Sequence, residues 1–302
     1  MNTTTTITAV RSTPRSWKLW ERREEPPAFQ LQERDITIIR EVFRHRFLTV
    51  SHVYALLGGS KERLALRCRM LWQHGYLERP KALRPTRILT EEIVYALGKK
   101  GAQLLEHRHP ELKIGELDWT ETPKKQTGWP YIDHQLGVAT FMVCLRIAAE
   151  RRGVTLRWSG HFNRREQRIR VPHTKTTFMP DAYFTLEVPG KGVAHHFLEF
   201  DRASVSLARM QKRYEYYFKF WKAGSASGRQ FKHFRVLTVT QDPDYIHSLR
   251  RAALPIGRNN EHHATWKALM FTHAGAFTLN NPDLTLSSIW LYADEANSVS
   301  LV

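Results

Sequence analysis

Cysteine is almost absent from this sequence: Cys68 and Cys144 are the only two in 302 residues. Two thiols so far apart, each inside an apolar helical pattern, make neither a disulfide framework nor a CxxC zinc site. They fit reduced core cysteines of a cytosolic protein. No apolar run approaches the roughly 20 residues that span a bilayer, so no membrane segment is expected. A Gly-rich phosphate loop is missing too, which argues against an ATPase or a dinucleotide enzyme. The histidines His107-Arg108-His109, His195-His196 and His262-His263 lack metal-site spacing, and the first two pairs also lack the one intervening apolar residue that a tyrosine-nucleophile DNA enzyme needs. Tyr214, Tyr216 and Tyr217 therefore read as helix packing or a stacking surface, because a nucleophile needs an activating partner.

Acidic residues are also scarce relative to basic ones. The 46 Lys+Arg against 29 Asp+Glu give a net charge of +17 and a sequence pI near 10.1. Such an excess points to a polyanionic partner, since neutralising phosphates releases condensed counterions. The excess is divided along the chain, with +8 up to residue 128 and +9 beyond it, so both halves are placed to meet that partner. The length exceeds what one core usually fills, which predicts two domains. Residues 1–30 are Thr- and Arg-rich and read as a disordered basic arm, because Glu21, Glu24 and Glu25 spoil a transit peptide. Pro110, Gly115, Pro123, Gly128 and Pro130 mark 108–130 as a linker between a first domain at 31–107 and a second at 131–302.

The first domain opens with a helical face of Ile36, Ile39, Phe43 and Phe47. A short helix follows Thr49-Val50-Ser51 and stops at Gly58-Gly59, and Ser60 caps a third helix that runs to about His74 and Gly75. At 100° per residue, Leu64, Cys68, Leu71 and Trp72 share the packing side of this third helix, while Arg63, Arg67 and His74 cluster on another flank with Met70 beside them. Strands at 76–79 and 93–97 enclose a basic, proline-punctuated excursion carrying Arg79, Lys81, Arg84 and Arg87. Three helices with a basic third helix and a basic hairpin match a winged helix-turn-helix. Its last helix would enter the major groove of double-stranded DNA and its wing would lay its cations along a backbone or minor groove.

In the second domain a long amphipathic helix, about 131–152, buries Leu136, Ala139, Val143, Ile147 and Ala148. Strands follow at 154–158, 167–171, 181–188 and 195–200, then a helix at 204–221 and a strand at 234–240; the tail from Leu269 reads as a last strand or packing arm. This is a mixed α/β layout, and the whole chain is of α+β class. Glu199 and Asp201 share one face of their strand, with Leu198 and Phe200 on the other. If that strand pairs with the one opened by Asp181, three carboxylates meet at a sheet end, the oxygen-rich arrangement that Mg²⁺ requires. The alternative stays open that Asp201 pairs with Arg202, Arg209 or Arg213 and that Asp181 merely ends its strand.

Pro180-Asp181 and the later Glu199 resemble the PD-(D/E)xK nuclease superfamily. Several phrases in order resemble, more specifically, the bacterial replication-relaxation family, which includes plasmid-borne proteins. These are Arg44-His45-Arg46-Phe47-Leu48-Thr49, Arg69 to Leu77, His134 with Leu136, Pro180-Asp181-Ala182, Phe197-Leu198-Glu199-Phe200-Asp201-Arg202 and Lys212-Arg213-Tyr214. The resemblance implies a winged helix joined to a restriction-endonuclease-like domain, acting in plasmid or mobile-element replication and DNA relaxation, with replication or mobilisation proteins as further partners. Active members of the superfamily place a lysine two residues after the glutamate, where this chain has Asp201. Arg202 points to the opposite strand face, which leaves Lys212 or Lys175 as a migrated amine. The expectation is a DNA-binding protein with weakened or lost cleavage, and Mg²⁺ as its one candidate cofactor. A Mg²⁺-dependent endonuclease or nickase using Asp181, Glu199, Asp201 and Lys212 is the alternative, and a winged-helix transcriptional repressor is a further one.

Overall fold

The computed structural model describes residues 20–80, 92–111, 114, 128–160, 168–171, 173–202, 205–224, 231, 233–258 and 267–302. Helix α1 (Glu33–His45) begins where Gln32 and Asp35 close a capping box; the Gln32 amide donates to Asp35 Oδ2 at 2.8 Å. The chain leaves α1 through Arg46, whose φ of 72° lies in the left-handed region. Phe47 therefore starts strand β1 (Phe47–Thr49) instead of extending the helical face expected for it. Helices α2 (Val50–Leu57) and α3 (Lys61–Gln73) follow. Ser60 caps α3 as expected, its Oγ accepting the Arg63 amide at 3.2 Å, and Gly75 turns the chain out of the helix at φ +81°. Leu64, Cys68, Leu71 and Trp72 form the buried side of α3. Strands β2 (Leu77–Glu78) and β3 (Val94–Leu97) join β1 in an antiparallel sheet of order β1-β3-β2. Helix α4 (Lys99–Arg108) closes this part of the chain. Lys81, Arg84 and Arg87 of the expected wing lie outside the described residues.

Helix α5 (Trp129–Arg151) is buried on more than the one side expected from the sequence. Ala139 and Val143 enter the core of α1–α4, while Phe141, Met142, Leu145 and Ala148 enter the core of the following sheet. A helix that is apolar around most of its circumference belongs between two packed layers. Its length and composition would let it cross a bilayer, but 67% of its most apolar stretch is buried inside the protein. Polar ties fix it to the first layers: Arg146 pairs with the buried Glu41 at 2.9 Å, and the His52 ring meets Thr140 Oγ1 at 2.9 Å.

The second sheet has seven strands in the order β12-β11-β10-β9-β8-β7-β4. Strands β4 (Thr155–Arg157), β7 (Ala182–Val188) and β8 (Gly192–Asp201) are antiparallel neighbours, whereas β9 (Arg235–Thr240) and β10 (Leu269–His273) run parallel to β8. Strands β11 (Trp290–Tyr292) and β12 (Ser298–Val299) complete the far edge. The tail from Leu269 thus supplies three sheet strands, one of them parallel beside β9. A small hairpin of β5 (Ile169–Arg170) and β6 (Thr177–Phe178) is a separate two-stranded sheet packed on the same core as α6. Helix α5 covers one sheet face, and α6 (Leu207–Lys222) with α7 (Tyr245–Arg258) covers the other. Both cysteines are buried thiols, and burial pushes each up to about 12. The architecture is α+β.

Candidate functional site

The basic flank expected on α3 divides into two parts. Arg63 and Arg69 are exposed, together with Leu66 between them. Arg67 is held inward: its Nε donates to Asp35 Oδ1 at 2.8 Å, and Asp35 is fully buried. It also donates to the Gln30 carbonyl at 2.9 Å and lies 4.3 Å from the centre of the Phe29 ring. His74 donates to the Pro27 carbonyl at 2.9 Å and stacks on Phe29 at 5.0 Å. Arg22 reaches the Trp72 carbonyl at 2.8 Å and pairs with Glu78. The segment from Arg22 to Gln30, expected within a disordered arm, therefore lies along α3 and covers the Arg67–His74 flank. Arg79 is also turned inward, 3.8 Å above the Trp72 ring centre and 3.0 Å from the Tyr95 hydroxyl, and burial holds its pKa below the usual arginine value. Of the cations expected on this flank only Arg63 is exposed, and Arg69, which the sequence reading passed over, is exposed beside it.

At the second site, β7 and β8 do form the hairpin on which the carboxylate reading depended, with Ala182 opposite Leu198. Asp181 and Glu199 come next in that register. Each already has protein partners. Asp181 Oδ1 accepts the His134 Nε2–H at 3.0 Å and its Oδ2 accepts the Phe200 amide at 2.9 Å. Glu199 Oε1 accepts the Tyr217 hydroxyl at 2.6 Å, and Arg213 Nε lies 3.8 Å from its Oε2. Asp201 is buried one step further along β8, opposite Thr240. Among the described residues, no group of three His, Cys, Asp or Glu side chains is placed to hold a metal ion.

The cation beside Glu199 is Arg213. Burial opposes its charge, but Glu199 and Tyr217 more than compensate, so its pKa is raised. Tyr217 is buried beside Glu199, and both burial and that negative neighbour raise its pKa well above the usual range. It is a fixed hydrogen-bond donor. Lys212 and Lys175 are exposed, and Lys212 Nζ sits 6.0 Å from the Tyr216 ring centre. Arg202 anchors the start of α5, donating to the Pro130 carbonyl at 2.8 Å and pairing with Asp133 at 2.9 Å. Sequence reasoning missed His134 and Tyr217 as partners, although Arg213 and Tyr217 stand four apart and so share one face of α6, a signal available in the sequence. Tyr217→Phe is expected to cost about 2–3 kcal/mol in urea unfolding, because a buried ionised acceptor loses its donor. An unchanged unfolding midpoint would show that Glu199 finds another donor.

Near these groups a cleft of about 230 Å³ opens between α5 and the carboxyl ends of β8 and β9, lined by Asp133, Gly137, Thr140, Phe200 and Gln241. Gly137 permits the close approach of α5 to β8, since a Cβ there would stand 2.2 Å from the Phe200 ring.

Residues 39–236, more than half of the chain, match the model of a protein family described as replication-relaxation. No curated protein and no solved structure matches.

Proposed function

Because the chain belongs to the replication-relaxation family, we propose that it is a cytoplasmic DNA-binding protein of plasmid or mobile-element replication, whose second layer is a nuclease-like domain that does not cleave. Family membership supports the replication and DNA-relaxation role. The net charge of +17 supports a nucleic-acid partner. Arg63 and Arg69 on α3 would meet duplex phosphates, as in a winged helix with its third helix at the groove. Other replication proteins would then be the second class of partner.

The observation that carries the non-cleaving reading is Arg213 at Glu199. A guanidinium fixed at that carboxylate competes with a divalent cation for the same oxygen. A Mg²⁺ ion would have to displace Arg213 and Tyr217 from Glu199 and His134 from Asp181. The lysine position of the superfamily motif is held by Asp201, an acceptor that cannot supply the missing amine. The residues as arranged do not fit the metal site that the resemblance implies.

The test is incubation of supercoiled plasmid with the purified full chain, in Mg²⁺ or Mn²⁺ and in EDTA, beside the Glu199→Ala variant. Retarded but intact plasmid is the expected result under every condition. Metal-dependent nicking that disappears in Glu199→Ala would replace this reading with an endonuclease. Plasmid neither retarded nor cut would remove DNA binding itself.

A further inference from the structure

The second half of the chain carries as much basic excess as the first, and α3 cannot account for it. Part of it lies together on one surface. In the β5–β6 hairpin the strand alternation buries Ile169 and Val171 and exposes Arg168 and Arg170, with Lys175 exposed in the turn region. On α6, Arg209, Lys212, Tyr216 and Lys219 fall within about 80° of one another at 100° per residue. Arg209, Lys212 and Lys219 are exposed.

The two elements are one continuous surface, because Phe178 of β6 stacks on Tyr216 at 5.8 Å and meets Tyr217 edge-on at 4.9 Å. Lys212 lies over the same Tyr216 ring. A merely solvated face ordinarily mixes both signs of charge. Here residues 168–178 contain no Asp or Glu, and α6 contains one, Glu215. No carboxylate among the described residues pairs with these cations. Along α6 the rise from Arg209 to Lys219 is about 15 Å at 1.5 Å per residue. That matches about four steps of a duplex strand at 3.4 Å each.

We propose that the β5–β6 hairpin and the outer face of α6 form a second phosphate-binding platform for duplex DNA, separate from α3. The proposal rests on the DNA-binding reading above and deepens it. The platform grips the backbone without reading sequence, since phosphate contacts by Lys and Arg position a duplex and carry no sequence information directly. A protein with two such surfaces holds two duplex segments, or one bent segment, at once.

The experiment is fluorescence anisotropy of a labelled 30-base-pair duplex with the full chain across a salt series. The variants are Arg170→Ala/Lys175→Ala/Lys212→Ala/Lys219→Ala and, for comparison, Arg63→Ala/Arg69→Ala. The platform variant is expected to bind at least tenfold more weakly and to lower the log–log salt slope by about 3.6, at about 0.9 for each of four lost contacts. The α3 pair should lower it by about 2 and leave the platform's share. Lys175→Arg/Lys212→Arg/Lys219→Arg should keep the wild-type slope, and circular dichroism should show every variant folded. A folded platform variant with an unchanged slope overturns the platform alone. So does loss of binding to phosphatidylserine vesicles with duplex binding intact. Failure of the unaltered chain to bind duplex at all overturns the platform and the DNA-binding reading together.

Discussion

Between about pH 6.5 and pH 4 this protein is expected to lose most of its stability, at roughly 4 kcal/mol per pH unit, through three buried histidines. His45, His52 and His196 are all buried. Burial is the first cause of a pKa held down to about 3 for His45, about 4 for His52 and about 3 for His196. Positive neighbours reinforce it, Arg44 and Arg146 at His45 and Arg235 at His196. His45 is held by the Glu41 carbonyl at 3.0 Å, and His52 lies between Thr49 and Thr140. His196 stacks on Phe184 at 5.1 Å, and neither ring nitrogen has a well-formed hydrogen bond among the described residues.

The sign follows from linkage. An unfolded histidine takes up a proton near pH 6.5, while these three stay neutral in the native state. Their contribution is therefore complete above 6.5 and is lost as pH falls towards their native values. With a typical total of about 5–15 kcal/mol to lose, unfolding should overtake the native state before the histidines themselves titrate. Urea unfolding from pH 7.5 to 4.5 would measure the slope. His196→Phe, an aromatic of similar shape with no proton to bind, should remove about a third of it. An unaltered slope in that variant would show that His196 does not carry its share.

Much of the fold was legible in the sequence because it is specified locally. Ser60 caps α3, Leu64, Cys68, Leu71 and Trp72 repeat at helical spacing, and the alternation of Asp181 to Val188 and of His195 to Phe200 flanks a Gly-rich turn. Each of these signals needs only its neighbours. The fate of Arg67 was not legible, because it depends on Gln30 and Phe29 folding back across α3 and on a buried Asp35 in another helix. A basic residue at helical spacing looks identical in sequence whether it faces phosphate or a carboxylate.

The second face of α5 was hidden for a similar reason. One-sided periodicity identifies a surface helix, whereas a helix between two layers shows a near-uniform apolar run, and only the tertiary partners decide its faces. Strand β10 is parallel to a partner more than 30 residues earlier, a pairing that no turn signal announces. The carboxylates were found by motif and face. The partners of Asp181 and Glu199 were not, because His134, Arg213 and Tyr217 come from two helices on opposite sides of the sheet.

The other large effect lies at Gly101, in the first turn of α4. Gly101→Ala is expected to destabilise the protein by about 2–3 kcal/mol, although exposed helical glycine-to-alanine changes normally stabilise by about 0.5–1 kcal/mol. The clash decides the sign. A Cβ at Gly101 would stand 2.3 Å from the Tyr76 carbonyl oxygen, with Leu97 Cδ1 at 2.9 Å and Ile39 Cγ2 at 3.2 Å. The nearest obstacle is backbone, and it is fixed. Tyr76 O accepts the Gly98 amide at 2.8 Å, and the next residue, Leu77, pairs with Leu97 in the sheet. Relief therefore requires α4 to move away from the paired strands β2 and β3, breaking that hydrogen bond. A variant with a raised unfolding midpoint would show that α4 is free to shift, and the tight seating of α4 against these strands would have to be given up.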